Sequence, residues 1–264
     1  MIWGTADFYG GLLSRKRNPI AVVLLVQVFG LFFVLMWATV TGTWEFGPFL
    51  ISGVAAGVTG LAGLMLFYAA LASGTMGVIS PIAALGVVVP LSYGLFLGDQ
   101  PSTLQWMGIL TAIVGVMAAS GPELSGGVSP KPLLFAAAAA AFFGVALAFM
   151  ANGAMANATM TIVAMRVVQT LIALGYFAFR RGFDGLQRSD LPTIALVGLG
   201  DVAANVCYAL AAAIGPISIV AVLGSLPPIA TATLGALVLK ERLKPVQYAG
   251  VALAMLGVVA LNAG

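Results

Sequence analysis

Residues 46–98 read FGPFLISGVAAGVTGLAGLMLFYAALASGTMGVISPIAALGVVVPLSYGLFLG, a stretch without a single Asp, Glu, Lys or Arg. About 20 apolar residues carry a helix across the hydrocarbon of a bilayer, so the stretch has the length of two crossings. Residues 19–43 are equally free of charge. A soluble chain carries roughly 25% charged residues. This one carries 7% among 264, with 61% hydrophobic residues and a mean hydropathy of +1.11. So few charges cannot cover a water-facing surface, and the solvent around most of the chain is lipid. The period-two alternation of an outer-membrane barrel is absent. An all-α integral membrane protein is therefore expected.

Breaks at Pro, Gly and charge clusters divide the chain into ten apolar runs: 1–14, 19–40, 48–72, 75–97, 103–119, 133–152, 158–179, 191–213, 216–239 and 246–262. The first is short for a crossing. Either residues preceding it complete it, or its helix begins part-way into the membrane. Residues 1–13 lack the basic region of a cleavable signal peptide. Residues 120–132, rich in Gly, Pro and Ser, read as a linker. They separate a first repeat, 1–119, from a second, 133–264.

The two halves echo one another. Trp3-Gly4-Thr5-Ala6 recurs as Phe143-Gly144-Val145-Ala146, and Tyr68-Ala69 as Tyr208-Ala209, both 140 residues on. Leu97-Gly98-Asp99 recurs as Leu239-Lys240-Glu241, and Gly108 and Gly115 as Gly250 and Gly257, at an offset of 142. Five runs per repeat is an odd number, so the second copy must lie inverted relative to the first. Inverted repeats are the usual construction of alternating-access carriers, which bind near the midplane where the repeats meet.

These residues carry a family resemblance. Each half resembles an EamA repeat of the drug/metabolite transporter superfamily. The matching features are the Trp-Gly of the first run, Ala70-Leu71-Ala72 and Ala209-Leu210-Ala211 closing the third, the acidic residue closing the fourth, and the Gly-x6-Gly-Val of the fifth. Pro228 followed by Leu239-Lys240-Glu241 fits closely in the second half. The first half departs, with Gly86 where that proline would fall and Asp99 where the family prefers glutamate. The resemblance implies ten transmembrane helices as two inverted five-helix repeats. It also implies an exporter of small metabolites such as amino acids, nucleosides or drugs.

A charge inside a crossing costs several kcal/mol, so such residues are functional candidates by default. Asp7, Arg166 and Asp201 are the three. Asp201, Asn205 and Tyr208 share one face of a helix at i, i+4 and i+7, and Arg166, Gln169 and Thr170 share another. Gln27 occupies the position repeat-related to Arg166, and Tyr68 that of Tyr208. One reading makes Arg166 and an aspartate a structural ion pair holding the halves together. The other lines a central cavity with them, Arg166 meeting an anionic group of the substrate and a carboxylate meeting a cationic group or a proton. Asp7 could instead sit at the interface and bond water. In the similar small multidrug resistance family, the proton-binding acid lies in the first crossing. Gly53, Gly57, Gly60 and Gly63 read as helix-contact positions, as do Gly4 and Gly144. Pro81, Pro90, Pro227 and Pro228 interrupt the backbone ladder, either as simple kinks or to free carbonyls toward a cavity. Trp44, Trp106 and Tyr248 read as interfacial anchors.

The function expected is secondary active transport by alternating access, coupled to a proton or to exchange. A small-molecule substrate and the lipid bilayer are the partners, in a multi-pass protein of a bacterial inner membrane working as a monomer or homodimer. A channel or a membrane-embedded enzyme is the alternative. The sequence contains no Walker motif, no histidine and one cysteine, Cys207, so ATP hydrolysis is not expected, the commonest metal ligand and a thiol pair are missing, and no cofactor is implied. The net charge of +3 sits in short loops where topology explains it, so no nucleic-acid partner is expected. Those loop charges all follow odd-numbered runs: Arg15, Lys16, Arg17, Lys131, Arg180, Arg181, Arg188, Lys240, Arg242 and Lys244. The positive-inside rule puts them in the cytoplasm and both chain ends, with Gly264, outside. The family is usually described with both ends inside.

Overall fold

The computed structural model describes residues 1–73, 76–119, 130–238 and 245–263, and their regular structure is helical throughout. Most of the expected linker, the segment Leu239-Lys240-Glu241, the basic residues Arg242 and Lys244, and Gly264 lie outside them, as does the side chain of Pro228. Four helical stretches, Pro19–Thr41, Phe49–Ser73, Lys131–Arg180 and Arg188–Ile214, are each long and apolar enough to cross a membrane. Large apolar side chains such as Ile214, Phe96 and Phe179 stand almost fully exposed on the outer surface. That surface suits lipid and not water.

Helices α1 (Ile2–Ser14), α2 (Pro19–Thr41) and α3 (Phe49–Ser73) follow the first three apolar runs. Asn18 caps α2, its side-chain oxygen accepting from the Ile20 amide at 2.9 Å, and Pro19 opens the first turn. Gly42, at φ +64°, ends it. The fourth run folds as α4 (Met76–Ala84), a 3-10 turn (Leu85–Val87) and α5 (Val88–Phe96). Pro90 has no N–H to give the Gly86 carbonyl, so the α-helical ladder breaks there. In α6 (Thr103–Ala119), Ser102 and Gln105 exchange backbone-to-side-chain bonds at 3.1 and 2.9 Å, a capping box.

Helix α7 (Pro130–Arg180) runs for 51 residues and bends at Asn157, whose backbone is extended at φ −154°, ψ 99°. The two apolar runs 133–152 and 158–179 are its two arms. Asn157 starts the second arm as a cap, its side-chain oxygen accepting from the Met160 amide at 3.0 Å. Helix α8 (Leu191–Ile214) follows a short 3-10 turn (Arg188–Asp190). The ninth run is divided like the fourth, into α9 (Ile217–Gly224) and α10 (Pro227–Val238), and α11 (Pro245–Ala263) ends the chain. Pro227 and Pro228 withhold N–H groups from the Leu223 and Gly224 carbonyls, which places the break.

The helices meet closely where a glycine omits its side chain. A Cβ on Gly4 would collide with the Pro227 carbonyl, and one on Gly144 with the Gly86 carbonyl. One on Gly57 would lie 2.7 Å from the Met165 carbonyl, and one on Gly198 2.8 Å from that of Val26. One on Gly108 would lie 2.9 Å from the Gly257 carbonyl, and one on Gly115 2.8 Å from that of Gly250. Each pair of crossings maps onto itself when 139–142 residues are added or subtracted. The first helix of each half thus packs on the broken fourth helix of the other. Gly86, the residue that departs from the repeat pattern, is one of these contact points.

Two sets of loop contacts lie at opposite ends of the helices. At one end Arg17 meets Asp190 at 2.8 Å and Gln187 at 2.6 Å, while Asp184 accepts from Asn18, Tyr176 and Arg180 at 2.5, 2.6 and 2.8 Å. Lys131 lies 5.6 Å from the centre of the Phe135 ring. At the other end Asn157 donates to Glu45 at 3.1 Å, and Asp99 accepts from the Ser218 amide at the start of α9 at 2.8 Å. Hydrogen bonds from Arg180 and Tyr176 hold the Asp184 carboxyl below its ordinary pKa; the Gln187 amide, then Arg17, do so for Asp190.

Candidate functional site

A cavity of about 150 Å³ lies between the two halves. Its construction follows the repeat. On α1, Trp3 and Asp7 are one turn apart and both face it; their counterparts on the first arm of α7, Phe143 and Leu147, face it from the opposite side. On α8, Asp201 and Asn205 line the wall, and 141 residues earlier Gly60 and Leu64 of α3 line it too. Arg166 on the second arm of α7 matches Gln27 on α2. The cavity is two-fold in construction and unsymmetrical in chemistry. Asp7, Arg166 and Asp201 carry charge, while their repeat-related counterparts Leu147, Gln27 and Gly60 are apolar or neutral.

Arg166 is 1% exposed, so its charge must be met locally. Its Nη2 donates to Asp201 Oδ2 at 2.8 Å, and its Nη1 donates to Gln27 Oε1 and to Gln169 Oε1, the latter at 3.2 Å. Gly30 of α2 leaves the space the guanidinium occupies: a Cβ there would sit 3.4 Å from Nε. Gln169 passes the chain on to the Gly57 carbonyl at 3.2 Å, and Thr170 bonds the Gln27 carbonyl at 3.4 Å. Asn205 donates to Asp201 Oδ1 at 3.1 Å and to its backbone carbonyl at 2.7 Å. One network therefore ties α2, α3, α7 and α8 together. Asp7 lines the same cavity, half-buried, and has no hydrogen-bond or ion-pair partner among the described residues.

Asp7, Gln27, Arg166, Gln169, Asp201 and Asn205 are thus brought to one cavity. Tyr68 and Tyr208 are not part of its wall. Tyr68 packs against α1 where Gly10 leaves room for its hydroxyl, and Tyr208 stacks 5.8 Å from Trp3 with its hydroxyl unpartnered among the described residues. A tyrosine ring is mostly apolar, and helix packing claimed both. Gly86 and Pro227 line the cavity as well. Pro90 is buried and does not line it. Ser80, Ser225 and Thr231 line the cavity without having stood out in the sequence. A hydroxyl in an apolar helix commonly bonds its own backbone, as Ser225 does to the Val222 carbonyl at 2.7 Å, so the residue type alone carries no signal. A second cluster also went unread: Tyr93 donates to Asn152 at 2.7 Å and Asn152 to Ser52 at 2.9 Å, joining α5, α7 and α3. The described residues contain no group of three or more acidic or cysteine side chains placed to hold a metal ion.

The model of the EamA-like transporter family matches residues 1–121 and again residues 130–263. A solved crystal structure, described only as that of a protein, superposes on this chain with a TM-score of 0.75 at 16% sequence identity, over 99% of this chain and 96% of its own. That likeness shows a shared fold. No curated protein matches the chain.

Proposed function

The chain belongs to the EamA-like transporter family, and from that premise we propose that it is a secondary active carrier, exporting small polar metabolites by alternating access with proton or exchange coupling. It is a multi-pass integral membrane protein with two EamA domains, and the family is one of transporters, which sets the membrane-embedded enzyme aside. The proposed topology has ten crossings. The arms of α7 count as two, α4 with α5 as one and α9 with α10 as one, in two inverted halves, 1–119 and 133–264. The observation that carries the proposal is the cavity itself. It lies where the halves meet, walled by residues that the repeat relates, with charge at only one member of each of three related pairs. Broken helices flank it on both sides, as in carriers whose halves rock about a central site. Asp7 and Asp201 are the proposed coupling and substrate groups, with Gln27, Gln169 and Asn205 completing the site. One chain encloses the cavity, which favours the monomer as the transport unit, in a bacterial inner membrane.

The test is flux in proteoliposomes of the purified chain, with a panel of amino acids, nucleosides and other metabolites. A carrier gives saturable uptake driven by a proton or counter-substrate gradient. Flux that rises linearly with concentration and ignores both gradients indicates a channel and refutes the proposal.

A further inference from the structure

Among the described residues Arg166 is the one cation lining the cavity, yet little of it is accessible there. The side chain is 1% exposed, two of its nitrogens are committed to Asp201, Gln27 and Gln169, and Nε faces the backbone of α2 at Gly30. Gln27 is fully buried as well. A ligand entering the cavity meets a different charge. Asp7 is half-buried and unpartnered among the described residues, and the Asp201 side chain keeps 15% of its surface exposed beside its guanidinium. The accessible charge on the wall is therefore carboxylate. Trp3 lies one turn before Asp7 on the same face of α1, which sets an aromatic ring beside the acid. On the opposite side the repeat-related positions are Phe143 and Leu147, with Leu64 next to them, all apolar.

Building on the carrier reading, we propose that the cavity takes an amphipathic organic cation, its ammonium head at Asp7 and Trp3 and its apolar ring against Phe143, Leu147 and Leu64. Of the two readings of Arg166 that the sequence left open, this follows the ion pair. The guanidinium does not receive an anionic substrate; it holds Asp201 in the wall. An anion entering here would face two carboxylates, and the one guanidinium N–H without a partner among the described residues, Nε, is buried against Gly30.

Calorimetric titration of the full-length protein in nanodiscs tests this with three probes of one shape: benzyltrimethylammonium, neutral phenylacetamide and anionic phenylacetate. The cation binds saturably, and the other two bind weaker by roughly tenfold or more, the scale of one charge contact in a partly desolvated site. Asp7→Asn removes that preference and Asp7→Glu keeps it. Phenylacetate binding as tightly as the cation, no saturable binding of the cation, or an unchanged preference in Asp7→Asn overturns the proposal. Comparison among the probes on the unaltered protein does not depend on the variant folding. The two readings also fail separately. If the cation binds but neither it nor any panel compound is carried, the carrier is refuted and the site stands. If metabolites are carried but the cation neither binds nor competes, the site is refuted and the carrier stands.

Discussion

Removing the Arg166 side chain strands the Asp201 carboxylate inside the bundle, and breaking such a pair from one side costs about 3 kcal/mol or more. Arg166→Met is therefore expected to lower the unfolding midpoint in detergent sharply, and Arg166→Met with Asp201→Leu to recover most of the loss. Additive effects would show that the two groups do not act as a pair. Coupling is a separate matter. If Asp7 or Asp201 carries the driving proton, the corresponding Asp→Asn variant loses gradient-driven accumulation and keeps exchange, since the amide copies the shape of the protonated acid. Accumulation at the unaltered level in both variants, at equal expression, excludes a proton role for either. The cavity's charged members were legible in the sequence because lipid makes each one expensive, and Gln27, Gln169 and Asn205 followed from helical spacing and the repeat. Ser225 and Thr231 were not, for a hydroxyl costs little when a nearby backbone carbonyl can accept from it. Tyr68 and Tyr208 misled for the opposite reason, a polar tip on a side chain that packs as a hydrophobe.

Among the elements, the glycine crossings make the clearest demand. Gly4→Ala and Gly144→Ala each put a methyl against a backbone carbonyl that cannot retreat. Both are expected to cut the yield of folded, monodisperse protein on size exclusion. Gly175→Ala, whose new methyl meets nothing within 4 Å, is expected to leave it unchanged or raised, because alanine favours helix by up to about 1 kcal/mol. Equal yields in all three would mean that these helices do not pack so closely. The connection between α7 and α8 carries a pH dependence. Asp184 and Asp190 both have lowered folded-state pKa values, so their contribution is complete above the unfolded value near 3.9. It is lost as pH falls through the folded values. Hydrogen-exchange protection of residues 181–190, corrected for intrinsic rate, is expected to hold at neutral pH and to drop below about pH 4. Asp184→Asn should flatten that change; a profile identical to the unaltered chain removes Asp184 from the account. The breaks in α4–α5 and α9–α10 were readable from proline. The bend at Asn157 was read only as a gap between apolar runs, since an asparagine cap looks like any polar residue until its amide partner is known.

For the whole molecule, the loop contacts sort the charges. Arg17 meets Asp190 at one end of the bundle, and the acids Glu45 and Asp99 serve Asn157 and Ser218 at the other. Basic residues gathered on one end are the arrangement the positive-inside rule reads as cytoplasmic. We therefore expect the Arg17–Asp190 end to face the cytoplasm and Gly264 to lie outside, against the usual description of the family. A fluorescent reporter that matures only in the cytoplasm, fused after Gly264, is expected to stay dark in a full-length, membrane-inserted fusion. A bright fusion reverses the orientation. The exchange of partners between the halves, with Gly4 seated on Pro227 and Gly144 on Gly86, also sets a timetable for biosynthesis. Gly144 meets a segment already made, whereas Gly4 must wait for 223 further residues, roughly 10 to 45 seconds at ordinary elongation rates. Throughout that interval α1 stands in the bilayer with its contact face open, and any insertion factor or chaperone that shields nascent helices has its natural client there.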